Sequence, residues 1–264
     1  MRVYVEGVGL VGPGLNGWQA SQQILTGATP YVPAATVIPP NDLLPSAERR
    51  RTGMPVKISL AIGCEAIAHA GRNAAELPTV FASSSGDGEN MHFIFDILAN
   101  SGHEVSPTRF HNSVHNAPSG YWSIATKSMA PSTSLACYDE SFVAGLLEAA
   151  SQVVTTVETC VLIAYDTRYP IPLHEARPIS ASFGAALVLT RGKTARSLAL
   201  LDISILRDRK PCSPVADAQL EALRVSSPAA RSLPLLTALA SKAASRVCLE
   251  YVAGNQLDIA VQLC

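Results

Sequence analysis

The chain has 264 residues, 48% hydrophobic and 16% charged, with a formal net charge of -1. That balance excludes a disordered segment, and its scattered Lys and Arg leave no nucleic-acid footprint. Its six cysteines show no CxxC or Cys/His spacing, no apolar run approaches the roughly 18 residues of a membrane span, and the opening MRVYVEG has no signal-peptide character, so a cytoplasmic protein with reduced thiols and no metal or cofactor is expected.

Val3–Val11 is a β-rich run closed by Gly12, Pro13 and Gly14, and Gly17–Leu25 reads as a short helix. Residues 27–54 are proline-rich and carry Arg49, Arg50 and Arg51, so they form a long ordered loop. The apolar spacing of Val56–Ala70 predicts a helix. Thr79–Ala82 is a short strand entering Ser83-Ser84-Ser85-Gly86-Asp87-Gly88, with a helix over Met91–Leu98. A short helix follows at Ser119–Thr126, then an extended run at Ser132–Ala136 and a strong helix over Glu140–Val154. Cys160–Ala164, Ala185–Leu189, Leu198–Leu206, Arg246–Val252 and Leu257–Val261 read as strands, and Leu235–Ala244 as a helix. Strands alternating with helices predict an α/β protein whose sheet is covered. A composition change near Arg191–Arg196 suggests a first unit at 1–192 and a small second one at 193–264.

Three constellations are candidates for chemistry. The turn at 83–88 lacks GxGxxG and the P-loop Lys, so it reads as a tight turn needing positive φ at Gly86 or Gly88. His111 and His115 have the i,i+4 spacing of a shared helix face, but no HExxH surrounds them, and His69, His92, His103 and His174 stand alone. The run Ala130-Pro131-Ser132-Thr133-Ser134-Leu135-Ala136-Cys137-Tyr138-Asp139-Glu140-Ser141 feeds an extended segment into a helix. A thiol at such an elbow would be activated by the helix N-terminus, whereas Asp139 there reads as an N-cap.

Here the sequence resembles the β-ketoacyl synthases. RVYVEGVGLVGPGLNG, with Trp18 and Leu25-Thr26-Gly27, is similar to the family's V-x-I-T-G-x-G-x-V-S-P-x-G-x-G opening and its following helix. Ser84–Gly88 resembles the S-G-x-G-G turn, and residues 112–129 the stretch before G-P-S. APSTSLACYDESFVAGLLEAA aligns without a gap to G-P-S-x-S-x-x-T-A-C-x-S-G-x-x-A-I-x-x-A, which sets Asp139 on the nucleophilic cysteine and Cys137 two positions earlier. The gating run G-F-G-x-G is represented by Pro178 to Gly184, and no histidine follows His174, where the family needs two.

The resemblance implies an α/β fold of thiolase type with a shortened second half. Within the family it points to a chain length factor, in particular the short ketosynthase-like subunits of aryl polyene and related type II polyketide systems. Such a subunit would be inactive on its own. It would heterodimerise with an active β-ketoacyl synthase, meet acyl carrier protein through a surface to which Arg49–Arg51 contributes, and set product length with Asp87, Met91, Ile94 and Phe95. Two rivals stay open. One is a stand-alone acyltransferase or thioesterase with Cys137 as nucleophile and His111 or His115 as base; the other is a structural homodimer.

Overall fold

The computed structural model describes residues 1–40, 42–100, 104–207 and 210–264; His103 lies outside these. The chain begins with β1 (Arg2–Gly12), which bends into β2 (Leu15–Asn16) and α1 (Trp18–Leu25). Among its described residues the proline-rich segment has no regular element apart from α2 (Ser46–Arg49), and α3 (Met54–Ala70) then lies across β1. Next come β3 (Thr79–Ala82), α4 (Gly88–Asn100), α5 (Pro107–His111), α6 (Ala117–Thr126), β4 (Ser132–Leu135), α7 (Ser141–Thr155) and β5 (Thr159–Asp166). The remainder is α8 (Leu173–Ala176), β6 (Phe183–Thr190), β7 (Ala199–Leu206), α9 (Ala218–Ser226), α10 (Leu233–Ser241), β8 (Ser245–Glu250) and β9 (Gln256–Leu263).

One mixed sheet runs β4-β3-β5-β6-β1-β7-β9-β8, with β2 on the end of β1. β4, β3 and β5 are parallel, and the remaining pairs are antiparallel. β5 and β6 are buried at every residue, as expected of strands covered on both faces. One face packs α7, α1 and α10, with Phe142, Leu146, Val153, Leu235 and Leu236 in its core. The other face packs α3 and α6, with Ile58, Ile62, Tyr121 and Trp122.

The glycines of VYVEGVGLV have a steric cause. A Cβ on Gly9 would come within 2.0 Å of the Ile62 carbonyl, and one on Gly7 within 2.0 Å of the Ala66 carbonyl. The α3 backbone therefore rests directly on β1. Glu65 then accepts the Leu10 N–H at 2.9 Å, and His69 Nδ1 accepts the Val8 N–H at 3.2 Å.

The second part repeats the pattern of the first incompletely. β7-β9-β8, with α10 leading into β8, mirrors β1-β6-β5, with α7 leading into β5. The expectation of a covered sheet is met here on one face and only in part on the other. Val247, Leu249, Leu257, Ile259, Leu201 and Ile203 face the core, while on the other side Asp202, Ser204, Arg246 and Glu250 are exposed and Cys248, Gln256 and Asp258 are buried. That second face alternates polar residues with core residues, the pattern of a half-solvated antiparallel sheet.

The sequence expectation missed α9. Asp217 caps it by accepting the N–H groups of Gln219 and Leu220 at 2.9 and 3.0 Å, a signal available in the sequence. Gly9→Ala should lower unfolding stability by about 3 kcal/mol, because a buried Cβ would meet backbone that cannot move aside. A urea titration monitored by circular dichroism, set against Gly27→Ala as a positive-φ control with open space, measures this loss.

Candidate functional site

The elbow between β4 and α7 is the segment the sequence marks for chemistry. β4 lies at the edge of the sheet, and after Cys137 the chain makes one turn of 3-10 helix, Tyr138–Glu140, before α7. Tyr138 holds φ at +51°, a left-handed conformation rare for a non-glycine residue. The Ser141 hydroxyl closes the turn, accepting the Cys137 N–H at 2.9 Å and donating to the Tyr138 carbonyl at 2.7 Å.

Asp139 is not the N-cap the sequence suggests. Glu140 occupies that place and makes no side-chain cap bond. The Asp139 carboxylate instead turns to two guanidinium groups: Arg177 donates to Oδ1 at 2.6 Å, and Arg231 to Oδ2 at 2.9 Å. Arg231 also reaches Glu140 at 3.4 Å and Glu250 at 3.5 Å, and Arg177 stacks on the Tyr138 ring at 3.8 Å. Both arginine side chains are only 18% exposed, so solvent screens these pairs weakly. Arg177 leads into the 178–184 run, and Arg231 belongs to a 3-10 turn before α10. The clamp thus joins the elbow to the run before β6 and to the second part of the chain. Nothing local announces these partners, which lie 38 and 92 residues away.

Cys137 lies beside this cluster without an activating partner. Burial, and then the Glu140 carboxylate, push its thiol up rather than down, the opposite of what a nucleophile needs. The two histidines offered as its base do not share a helix face. α5 ends at His111, which meets Tyr121 edge-on, and His115 lies beyond it with Nε2 2.9 Å from the Ser83 carbonyl. Among the described residues no imidazole bonds to the Cys137 thiol, and no three His, Cys, Asp or Glu side chains are grouped to hold a metal.

The glycine turn is anchored by a second carboxylate that the sequence did not mark. Asp166, at the end of β5, is fully buried and accepts the Ser84 N–H at 2.9 Å, the Ser84 hydroxyl at 2.6 Å and the Ala229 N–H at 2.9 Å. Gly86 has the expected positive φ of 73°; Gly88 does not, and begins α4. α4 is therefore longer than the Met91–Leu98 expectation. Asp87 accepts the Asn90 N–H at 3.0 Å, and burial pushes its carboxyl up. Of the three apolar candidates only Ile94 is buried; Met91 is half-buried, and Phe95 is 54% exposed, as is Leu98 in part, whereas Phe93 lies under the Arg109 guanidinium at 3.4 Å. α4 and the arginine turn enclose a cleft of about 600 Å³ lined by Arg50, Arg51, Asp87, Asn90, Phe93 and Arg109. Arg49 pairs with Asp42 and Arg51 with Glu48.

The model of the β-ketoacyl synthase N-terminal domain matches residues 18–248. The chain belongs to that family. A chain of the complex between the ketosynthase ApeO and its chain length factor ApeC from Xenorhabdus doucetiae superposes with a TM-score of 0.75 at 18% identity, covering 98% of this chain and 99% of that one. The ishigamide ketosynthase/chain length factor gives 0.72 at 14%, covering 100% and 99%. A β-ketoacyl synthase from Burkholderia phymatum STM815 gives 0.67 at 12%, also covering 100% and 99%. No curated protein sequence matches. The fold is thus the thiolase-like α/β fold of the ketosynthases.

Two predictions follow from these carboxylates. Asp139→Ala leaves two partly buried guanidinium groups short of a partner and should cost about 1–3 kcal/mol, read as a lower urea midpoint, with Arg177→Ala in the variant recovering part of it. Burial raises the Asp166 carboxyl from its ordinary 3.8 to about 6. The folded chain therefore binds that proton more tightly than the unfolded chain. This stability is full below about pH 4 and is lost as the pH rises through about 6, amounting to about 3 kcal/mol. Relative to Asp166→Asn, the native protein should lose stability between pH 4 and pH 7; parallel pH profiles for the two proteins would refute this.

Proposed function

We propose that this chain is a non-catalytic chain length factor that pairs with an active β-ketoacyl synthase and shapes its acyl pocket, in aryl polyene or related polyketide or fatty-acid-type biosynthesis. The observation that carries this reading is the clamped Asp139. A carboxylate held by two arginines cannot form a thioester, and it fills the elbow at the position that aligns with the family's nucleophile. The chain also has no histidine after His174. The acid-base and oxyanion groups of a decarboxylative condensation would therefore come from the partner.

A partner surface is consistent with what the first part exposes. α4 exposes Phe95 and Leu98, the neighbouring α5 exposes Phe110, and β4 is an edge strand. Large apolar side chains grouped on a surface mark interaction sites. In this reading Asp87, Met91, Ile94 and Phe95 limit the product by steric exclusion, with Phe95 exposed in the free chain because the partner covers it. Two of the similar structures are pairs of this kind, ApeO with ApeC and the ishigamide ketosynthase/chain length factor. A third holds an acyl-carrier protein with its ketosynthase, and Arg50, which has no acidic partner among the described residues, is a candidate contact for such an acidic protein.

Incubation with acyl-loaded carrier protein, followed by intact-mass analysis, tests the reading. The expected result is no acyl adduct on this chain, native or carrying Asp139→Cys, and an adduct on a co-purified ketosynthase. An adduct on Cys137 that is lost in Cys137→Ala would establish the thiol-enzyme reading instead. Phe95→Glu should reduce co-purification with the ketosynthase at least tenfold while leaving the thermal midpoint within a few degrees, because a charge desolvated in an interface is costly and one on an open surface is not.

A further inference from the structure

Two cysteines that this function leaves unused come together on the partly covered face of β7-β9-β8. Cys248 projects from β8 opposite Asp258 of β9, on the side away from Val247 and Leu249, which face the core. The extended segment before α9 runs along the free edge of β8. There the Ser213 N–H donates to the Cys248 carbonyl at 2.9 Å, and the Ser213 hydroxyl accepts the Cys248 N–H at 2.9 Å. Gln256, on the same face, pins that segment through both ends of its amide. It accepts the Lys210 N–H at 2.8 Å, and its Nε2 donates to the Lys210 carbonyl at 2.6 Å and to Cys212 Sγ at 3.4 Å. These bonds bring Cys212 alongside Cys248, whose thiol is pushed up by burial and then by the neighbouring Cys212, so Cys248 suits the second, resolving step rather than the first. Cys248 is buried and Cys212 is half-buried, so Cys212 is the more accessible of the two.

We propose that Cys212 and Cys248 are a reversible dithiol/disulfide pair whose oxidant is a small disulfide of the glutathione class. The accessible Cys212 thiolate attacks one sulfur of glutathione disulfide, forming a mixed disulfide and expelling one glutathione thiolate. Cys248, deprotonated in turn, attacks the Cys212 sulfur and expels the second. The protein gives up two electrons and two protons, and the oxidant leaves as two glutathione thiols. The resulting bridge closes the loop from 212 to 248, which contains Ala229, bonded to Asp166, and Arg231, bonded to Asp139. Oxidation therefore fixes the segment that holds both carboxylates. The pairing does not depend on the chain length factor reading.

The test is incubation of the native full chain with a series of reduced-to-oxidised glutathione ratios, followed by intact mass and non-reducing peptide mapping. The expected result is a mass loss of about 2 Da, a cross-linked peptide joining Cys212 to Cys248, and a thermal midpoint raised by about 5–10 °C and reversed by dithiothreitol. Cys212→Ser should abolish the bridge, and Cys248→Ser should leave glutathione attached at Cys212. Stable glutathionylation of Cys212 in the native chain, or oxidation confined to Cys137 or the exposed Cys264, would overturn the proposal.

Discussion

The arrangement hangs on one buried carboxylate. Asp166 closes β5 and takes its hydrogen bonds from two directions. From one side come the serines of the turn that starts α4, and from the other the backbone of the 3-10 turn that starts α10. A carboxylate removed from water must have such donors, or protonate, or destabilise the fold. Satisfying Asp166 fixes where the glycine turn ends and where Arg231 begins. Arg231 in turn fixes Asp139. Two acids more than two dozen residues apart in sequence therefore share one polar scaffold, and the helix proposed to shape an acyl pocket is hinged on it.

The shape of the elbow does not depend on the side chain at its tip. The hydrogen bonds that close it belong to Ser141, Cys137 and Tyr138, not to Asp139. The strained φ of Tyr138 is compensated by the Arg177 guanidinium stacked on its ring. Two carboxylates at the start of α7, Asp139 and Glu140, suit the helix dipole, and two arginines limit their repulsion. The elbow is thus held by backbone and hydroxyl bonds while its carboxylates are neutralised by arginines.

How legible this was in the sequence follows the range of each interaction. Most strands and helices of the first part were readable because their signals are local: apolar periodicity in α3 and α7, unbroken apolar runs in β5 and β6, and glycines where α3 touches β1. The short family motifs placed Asp139 at the elbow. Its role as a cap was misread, because capping is judged from neighbours in sequence and its true partners lie far along the chain. The reading of His111 and His115 as loop or packing histidines rather than a ligand pair agrees with the structure. Their spacing suits a helix, but Asn112 ends α5 by turning its side chain to the Arg51 carbonyl and the Tyr121 hydroxyl. Asp166 gave no signal at all, since a carboxylate at a strand end looks solvent-exposed until the chain from 229 is folded over it.

The second part departs most from expectation, and its packing says why. With the second face of β7-β9-β8 only partly covered and largely polar, it buries less apolar surface than a two-sided unit and gains less from burial. What holds it is the antiparallel join of β7 to β1, the packing of α10 against α1, and the polar links from Ala229 and Arg231. Hydrophobic packing of this kind is non-directional and would tolerate small rotations of the second part, whereas a bidentate carboxylate clamp would not. The charge at Asp139 therefore has a structural role of its own, whatever chemistry the elbow does or does not perform. Substituting a thiol at that position would remove the link that orients the segment carrying Arg231.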